Sequence, residues 1–93
     1  MKSYSKKSQC CFIYASAKKN EMYLYINDKD NFDDVPEALL SKFGVPIFVM
    51  VLELSQRKSL ARESLTTVKQ NLAEQGYHLQ MPPVIEKLSE KNL

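Results

Sequence analysis

The chain has 93 residues, of which 44% are hydrophobic and 26% charged, and a formal net charge of +2. This length allows one domain, and the composition is that of a globular protein, which excludes an intrinsically disordered chain. The net charge is too small to identify a nucleic-acid-binding protein by itself.

Charge is distributed unevenly along the first half of the chain. Residues 1–20 contain five lysines and no acidic residue, whereas residues 21–37 contain six acidic residues and one lysine. Residues 1–9 also lack apolar periodicity, so we predict a flexible basic tail followed by a single domain over residues 10–93. Such charge blocks are typical of a solvated tail and an acidic loop, and they can also define a polarised surface.

The first predicted strand, Cys10–Tyr14, is short and almost wholly apolar. Its two cysteines are adjacent, and neighbouring strand residues point to opposite faces, so a disulfide between them would be strained. We therefore predict buried free thiols in a reducing compartment. The apolar run Cys10–Ala15 is too short for the core of a signal peptide, and the later run Val45–Leu52 contains a proline and cannot span a bilayer. These two observations predict a cytoplasmic protein without membrane contact.

The second predicted strand, Met22–Ile26, alternates strictly between aliphatic and aromatic residues. Tyr23 and Tyr25 therefore share one face and the three aliphatic side chains share the other. The connection Ser16–Glu21 is short and polar, which predicts an antiparallel hairpin between the first two strands.

A helix is predicted after the loop Asn27–Asp34. Asp34 and Glu37 have the spacing of a capping box, with Pro36 in the first turn. Gly44 is predicted to end this helix in a left-handed conformation.

The run Ile47–Leu52 is apolar without interruption and rich in β-branched residues. We predict a central strand, paired along both edges and buried on both faces. A helix over Leu60–Gln75 follows, and an alternative is that Ser64 interrupts it and restarts it as an N-cap.

The last predicted strand is Tyr77–Met81, with Tyr77, Leu79 and Met81 on one face and His78 on the polar one. Val84–Asn92 is predicted to form a short terminal helix. The element order is β-β-α-β-α-β-(α), an α/β (α+β) fold whose four-stranded mixed sheet has covered faces.

Two blocks of residues together resemble the YcgL family of small gammaproteobacterial proteins. The blocks contain Tyr23-Leu24-Tyr25, Val35-Pro36-Glu37-Ala38-Leu39-Leu40, Phe43-Gly44, Glu74-Gln75-Gly76-Tyr77 and Leu79-Gln80-Met81-Pro82-Pro83. The resemblance covers about residues 10–83 and implies an α/β/α sandwich, but it implies no activity. Many members have Asp-Gly where this chain has Ser55-Gln56, so a tight glycine turn there is in doubt.

The histidine, cysteine and acidic residues of the chain do not form a recognisable catalytic or metal-binding pattern. One histidine, His78, and two adjacent cysteines give no zinc-ligand spacing, and a histidine on a polar strand face is usually a solvated side chain. The loop from Asp28 fails the EF-hand pattern at three positions and is better explained by turns and a helix N-terminus. A Cys10 or Cys11 pair with His78 is conceivable, but an apolar setting raises the thiol pKa and weakens the nucleophile. We predict no metal and no cofactor.

Tyrosines beside lysines form the remaining candidate site, because aromatic rings stack on bases and lysines hold phosphates. The residues of this candidate RNA surface are Tyr14, Tyr23, Tyr25, Lys18, Lys19, Arg57 and Lys58. Tyrosines are equally common on half-buried strands, where a covering helix would bury them.

By elimination, the sequence favours a non-enzymatic protein-interaction or regulatory domain with an unidentified protein partner. The alternative is an accessory RNA-binding module that makes weak contacts through the tyrosines and lysines. An enzyme is the third hypothesis, which a deep pocket with converging polar groups would support.

Overall fold

The computed structural model describes residues 10–56 and 63–83. In chain order its elements are β1 (Cys10–Ser16), β2 (Tyr23–Ile26), α1 (Glu37–Phe43), β3 (Pro46–Glu53), a 3-10 turn (Leu54–Gln56), α2 (Leu65–Glu74) and β4 (Tyr77–Gln80). The predicted basic tail, residues 1–9, and the predicted terminal helix, Val84–Asn92, lie outside the described residues.

The four strands form one sheet in the order β3-β1-β2-β4, and all three neighbouring pairs are antiparallel. The prediction of an α+β fold with a four-stranded sheet is confirmed, and the prediction of a mixed sheet is wrong. A helix precedes both β3 and β4, which favours parallel neighbours. Instead, β3 pairs with the outer side of β1, and β4 pairs with the outer side of β2. Two strands that are connected through a helix are therefore never neighbours in the sheet.

The predicted position of the strand over Ile47–Leu52 is also wrong. Within the described chain, β3 pairs only with β1, so it is an edge strand and not a central one. Five consecutive apolar side chains of β3 remain exposed: Ile47, Phe48, Val49, Met50 and Val51.

Two hydrophobic clusters lie on opposite faces of the sheet. On β2, Tyr25 belongs to the cluster under α2, whereas Leu24 and Ile26 belong to the cluster under α1, as the predicted alternation requires. Val68 and Leu72 are the buried residues of α2. Each face of the sheet therefore packs against one helix, and we refer to the α1 face and the α2 face below.

The helix ends show one correct and one wrong capping prediction. Ser64 is the N-cap of α2, and its hydroxyl accepts a hydrogen bond from the backbone N–H of Thr67 at 3.3 Å. The predicted capping box of α1 is not formed, because Pro36 takes the N-cap position and has no side chain that can accept a hydrogen bond. Gly76, with φ +90°, follows α2, and a Cβ at that position would collide with the Asp34 carboxylate.

Candidate interaction surface

The pairing of β3 with β1 contains a β-bulge. Met50 lies opposite Ile13 of β1, but the next residue of β1, Tyr14, lies opposite Phe48, so Val49 is an extra residue. Val49 and Met50 consequently face the same side of the sheet. Bulges of this kind redirect side chains at sheet edges, and here the bulge directs two adjacent apolar side chains toward the α2 face.

The exposed apolar run of β3 has no charged residue between Pro46 and Leu52. Its five consecutive apolar side chains are each between 39% and 52% exposed. An edge strand usually carries lysines or inward-pointing charges that prevent pairing with other chains. Among the described residues, the outer edge of β3 has no paired strand, and the exposed run carries no such charge.

A shallow cleft of about 220 Å³ opens beside this edge. The side chains that line it are Ile13, Tyr23, Tyr25, Val49, Met50 and Gln80. The hydroxyl of Tyr25 donates a 2.6 Å hydrogen bond to Oε1 of Gln80, so these two polar side chains of the floor are bonded to each other. The rest of the lining consists of Ile13, Val49, Met50 and the ring and hydroxyl of Tyr23, so the cleft suits an apolar side chain of a partner better than a charged one.

His78 lies in a buried polar cluster near this cleft, contrary to the predicted solvated position. Its Nδ1 lies 2.9 Å from the amide nitrogen of Asn71, and its Nε2 lies 2.5 Å from Oε1 of the Glu63 carboxylate, both within hydrogen-bond distance. Because both ring nitrogens already have partners, His78 is poorly placed to act as a general base or a metal ligand, and it joins β4 to α2.

The sheet separates the three tyrosines of the predicted RNA surface. Tyr14 is buried on the α1 face, where its hydroxyl donates to Oδ1 of Asp30 at 2.9 Å and accepts from the Asp30 N–H at 2.7 Å. Burial raises the pKa of the Tyr14 hydroxyl. Tyr25 is buried on the α2 face, and Tyr23 beside it is half-buried. Neither Tyr14 nor Tyr25 presents an open ring to a base.

The lysines of that predicted surface also have different environments. Lys18 donates from Nζ to the Ser41 carbonyl at 2.9 Å, near the end of α1, where a cation is favourable to the helix dipole. Lys19 is exposed. Arg57 and Lys58 lie outside the described residues. The structure therefore places Tyr23 and Tyr25 together on the α2 face and Tyr14 on the opposite face.

Metal chemistry gains no support from the described part of the chain. Within residues 10–56 and 63–83, no group of three His, Cys, Asp or Glu side chains is arranged to hold a metal ion. In the acidic loop, the N–H of Asp33 donates to the Asn31 side chain, and Asp30 adopts a positive φ of 62°. These are turn-forming roles, as the sequence predicted.

Cys11 is fully buried as a free thiol, and burial, with a smaller contribution from Cys10, raises its pKa to about 12. At pH 8, roughly one molecule in ten thousand carries the thiolate that attacks an alkylating reagent. We expect Cys11 of the folded protein to resist iodoacetamide at pH 8 and to react readily in urea, which peptide mass spectrometry measures. Rapid labelling of Cys11 in the folded protein would contradict its burial.

Among the described residues, neither helix combines the length and the apolar character needed to cross a bilayer.

Comparison with known proteins places these features in a family. The sequence model of the YcgL domain matches residues 11–83. The chain is 49% identical over 87 residues to "Protein YcgL" of Salmonella paratyphi A (strain ATCC 9150 / SARB42), covering 94% of this chain and 79% of that protein. "Protein YcgL" of Salmonella agona (strain SL483) is also 49% identical, with 94% of this chain and 85% of that protein covered. The resemblance seen in the sequence is thereby confirmed.

Proposed function

This chain belongs to the YcgL family, and we propose that it functions as a non-enzymatic protein-interaction domain that binds an extended segment of a partner along β3. The observation that carries the proposal is the uncharged stretch Ile47–Leu52 of the edge strand β3, with five consecutive exposed apolar side chains. A partner strand would add to the sheet through backbone hydrogen bonds, and its alternate side chains would contact the two faces.

The cleft supplies a means of selecting the partner. Val49 and Met50 form the side of the cleft nearest the edge, and Tyr23 and Gln80 lie farther along it. A strand bound to β3 would place every second side chain on the α2 face, next to this cleft. A medium-sized apolar side chain in the partner is therefore favoured at that position.

An enzymatic role has weaker support in the described residues. Three polar side chains in or near the cleft, Tyr25, Gln80 and His78, are hydrogen-bonded to neighbours in the protein, and the Tyr23 hydroxyl is one further polar group of the lining. A catalytic site requires polar groups that converge on a free position. The RNA alternative has a narrower basis than the sequence suggested, since Tyr14 and Tyr25 are buried and its accessible described residues are Lys18, Lys19 and the half-buried Tyr23.

The test is partner capture by immobilised protein, with nuclease treatment, comparing the wild type with Val51→Lys. A lysine on the edge should reduce capture by about tenfold or more, since it opposes close strand pairing. Met81→Lys is the matched control, because Met81 is also an exposed apolar residue but lies outside β3.

Equal capture by the wild type and Val51→Lys would contradict the proposal. Capture that disappears on nuclease treatment would instead support the RNA alternative. Circular dichroism of each variant establishes that the fold is retained.

A further inference from the structure

We infer that β3 binds a second copy of this chain, whose own β3 pairs with it in the antiparallel direction about a two-fold axis. The two four-stranded sheets would then form one continuous sheet of eight strands. This inference rests on the proposed function, because it names the partner of the same surface. Three features of β3 support it: the faces of its residues, its charges, and the contrast with the opposite edge.

The first feature is the face of the sheet to which each residue of β3 points on either side of the bulge. Phe48 and Val51 lie opposite Tyr14 and Phe12 of β1 and so point to the α1 face, whereas the bulge directs both Val49 and Met50 to the α2 face. Residues directly opposite one another in an antiparallel pair must share a face.

One register satisfies this requirement at every position of β3. With Val49 opposite the partner's Met50, Phe48 lies opposite the partner's Val51, and all opposed residues share a face. If the register of the two β3 strands is shifted by one or two residues, some residues beside the bulge lie opposite partner residues whose side chains point to the other face of the sheet. The bulge thus makes β3 complementary to itself in a single register.

The second feature is charge. The Nζ atom of Lys29 lies 4.8 Å from the centroid of the Phe48 ring, on the α1 face. Glu53 lies opposite Cys10 of β1 and so points to the same face. In the matching register, the partner's Glu53 lies opposite Pro46, two residues from Phe48 and next to Lys29. The two-fold axis produces this opposite-charge contact twice and places no like charges opposite one another.

The third feature is the contrast between the two edges of the sheet. At the far edge, β4 has four residues, and the side chains of His78 and Gln80 are buried. Among the described strands, each copy therefore offers one long apolar edge. A two-fold pairing of that edge covers five exposed apolar side chains in each copy and leaves no second long edge among these strands for further growth.

The experiment is sedimentation equilibrium of the full chain from low micromolar to high micromolar concentration. We expect a monomer–dimer equilibrium that Val51→Lys weakens by about tenfold or more and that Met81→Lys leaves unchanged. Lys29→Glu and Glu53→Lys should each weaken the dimer, since each places two carboxylates or two cations in contact. The double variant should restore it.

The outcomes separate this inference from the proposed function. A monomer at every concentration overturns the inference, while capture of another protein that depends on Val51 would leave the proposed function intact. Dimerisation that the Lys29→Glu and Glu53→Lys double variant does not restore overturns the register. Open-ended association into larger species overturns the closed two-fold pairing.

Discussion

Replacing Phe43 with alanine should lower the free energy of unfolding by about 3–5 kcal/mol, whereas replacing Phe48 with alanine should lower it by about 1 kcal/mol. Phe43 is the buried residue of α1 and is 0% exposed, so truncation leaves a cavity under the helix. Phe48 is 43% exposed and already has much of its ring in water. Urea unfolding of both variants, at a protein concentration low enough to avoid association, measures the difference.

This pair of variants compares the same substitution at a core position and at the edge strand. Phe48 still contacts the Tyr14 ring edge-on, at a centroid distance of 5.5 Å, so a small loss is expected. If Phe48→Ala cost as much as Phe43→Ala at low concentration, β3 would be covered within the monomer. The edge would then be closed to a partner.

Replacing Tyr25 with phenylalanine should cost about 1–3 kcal/mol of stability. The substitution keeps the ring but removes the hydroxyl that donates to Oε1 of Gln80 at 2.6 Å. Both side chains are buried, and the Gln80 amide oxygen would lose this donor in a place that water reaches poorly. Thermal or urea unfolding of Tyr25→Phe measures the cost.

A double-mutant cycle isolates the contribution of that hydrogen bond. Gln80→Leu removes the acceptor together with the rest of the polar amide, so the double variant Tyr25→Phe/Gln80→Leu should be more stable than the sum of the single effects predicts. Strict additivity of the two changes would show that Tyr25 and Gln80 are not coupled. Phe32→Leu, on the opposite face of the sheet, provides a control that should combine additively with Tyr25→Phe.

The local structure was largely predictable from the sequence, because short-range patterns determine it. Strict alternation in residues 22–26 correctly assigned Leu24 and Tyr25 to opposite faces of the sheet. Ser64 was correctly identified as a possible N-cap, which is where α2 begins, although the main prediction started the helix at Leu60. In each case the signal lies within a few residues of the element that it predicts.

The position of β3 in the sheet was not predictable in the same way. An unbroken apolar run shows that both faces of a strand avoid water, but it does not show what covers them. For β3, the described residues cover the two faces incompletely and pair one edge alone. Strand order depends on long-range pairing, for which residues 47–52 hold no local signal. The candidate interaction surface was missed for this reason.

The environment of His78 was missed because alternation distinguishes two faces without showing which is buried. Tyr77 and Leu79 point to the α1 face, and His78 points to the α2 face, which the sequence marked as polar. The partners of His78, Asn71 and Glu63, come from α2 and the residues before it. A buried polar face with its own polar partners cannot be distinguished from a solvated one by residue type alone.

Hydrogen exchange of the β3 amides at increasing protein concentration tests most directly whether the outer edge of β3 is a binding edge. In a dilute sample, roughly half of the β3 amides point away from β1, and these should exchange much faster than the amides of β1 and β2. Their protection should rise with protein concentration in the wild type and not in Val51→Lys. Strong protection of all β3 amides at the lowest concentration would contradict the account, since another part of the same chain would then cover the edge.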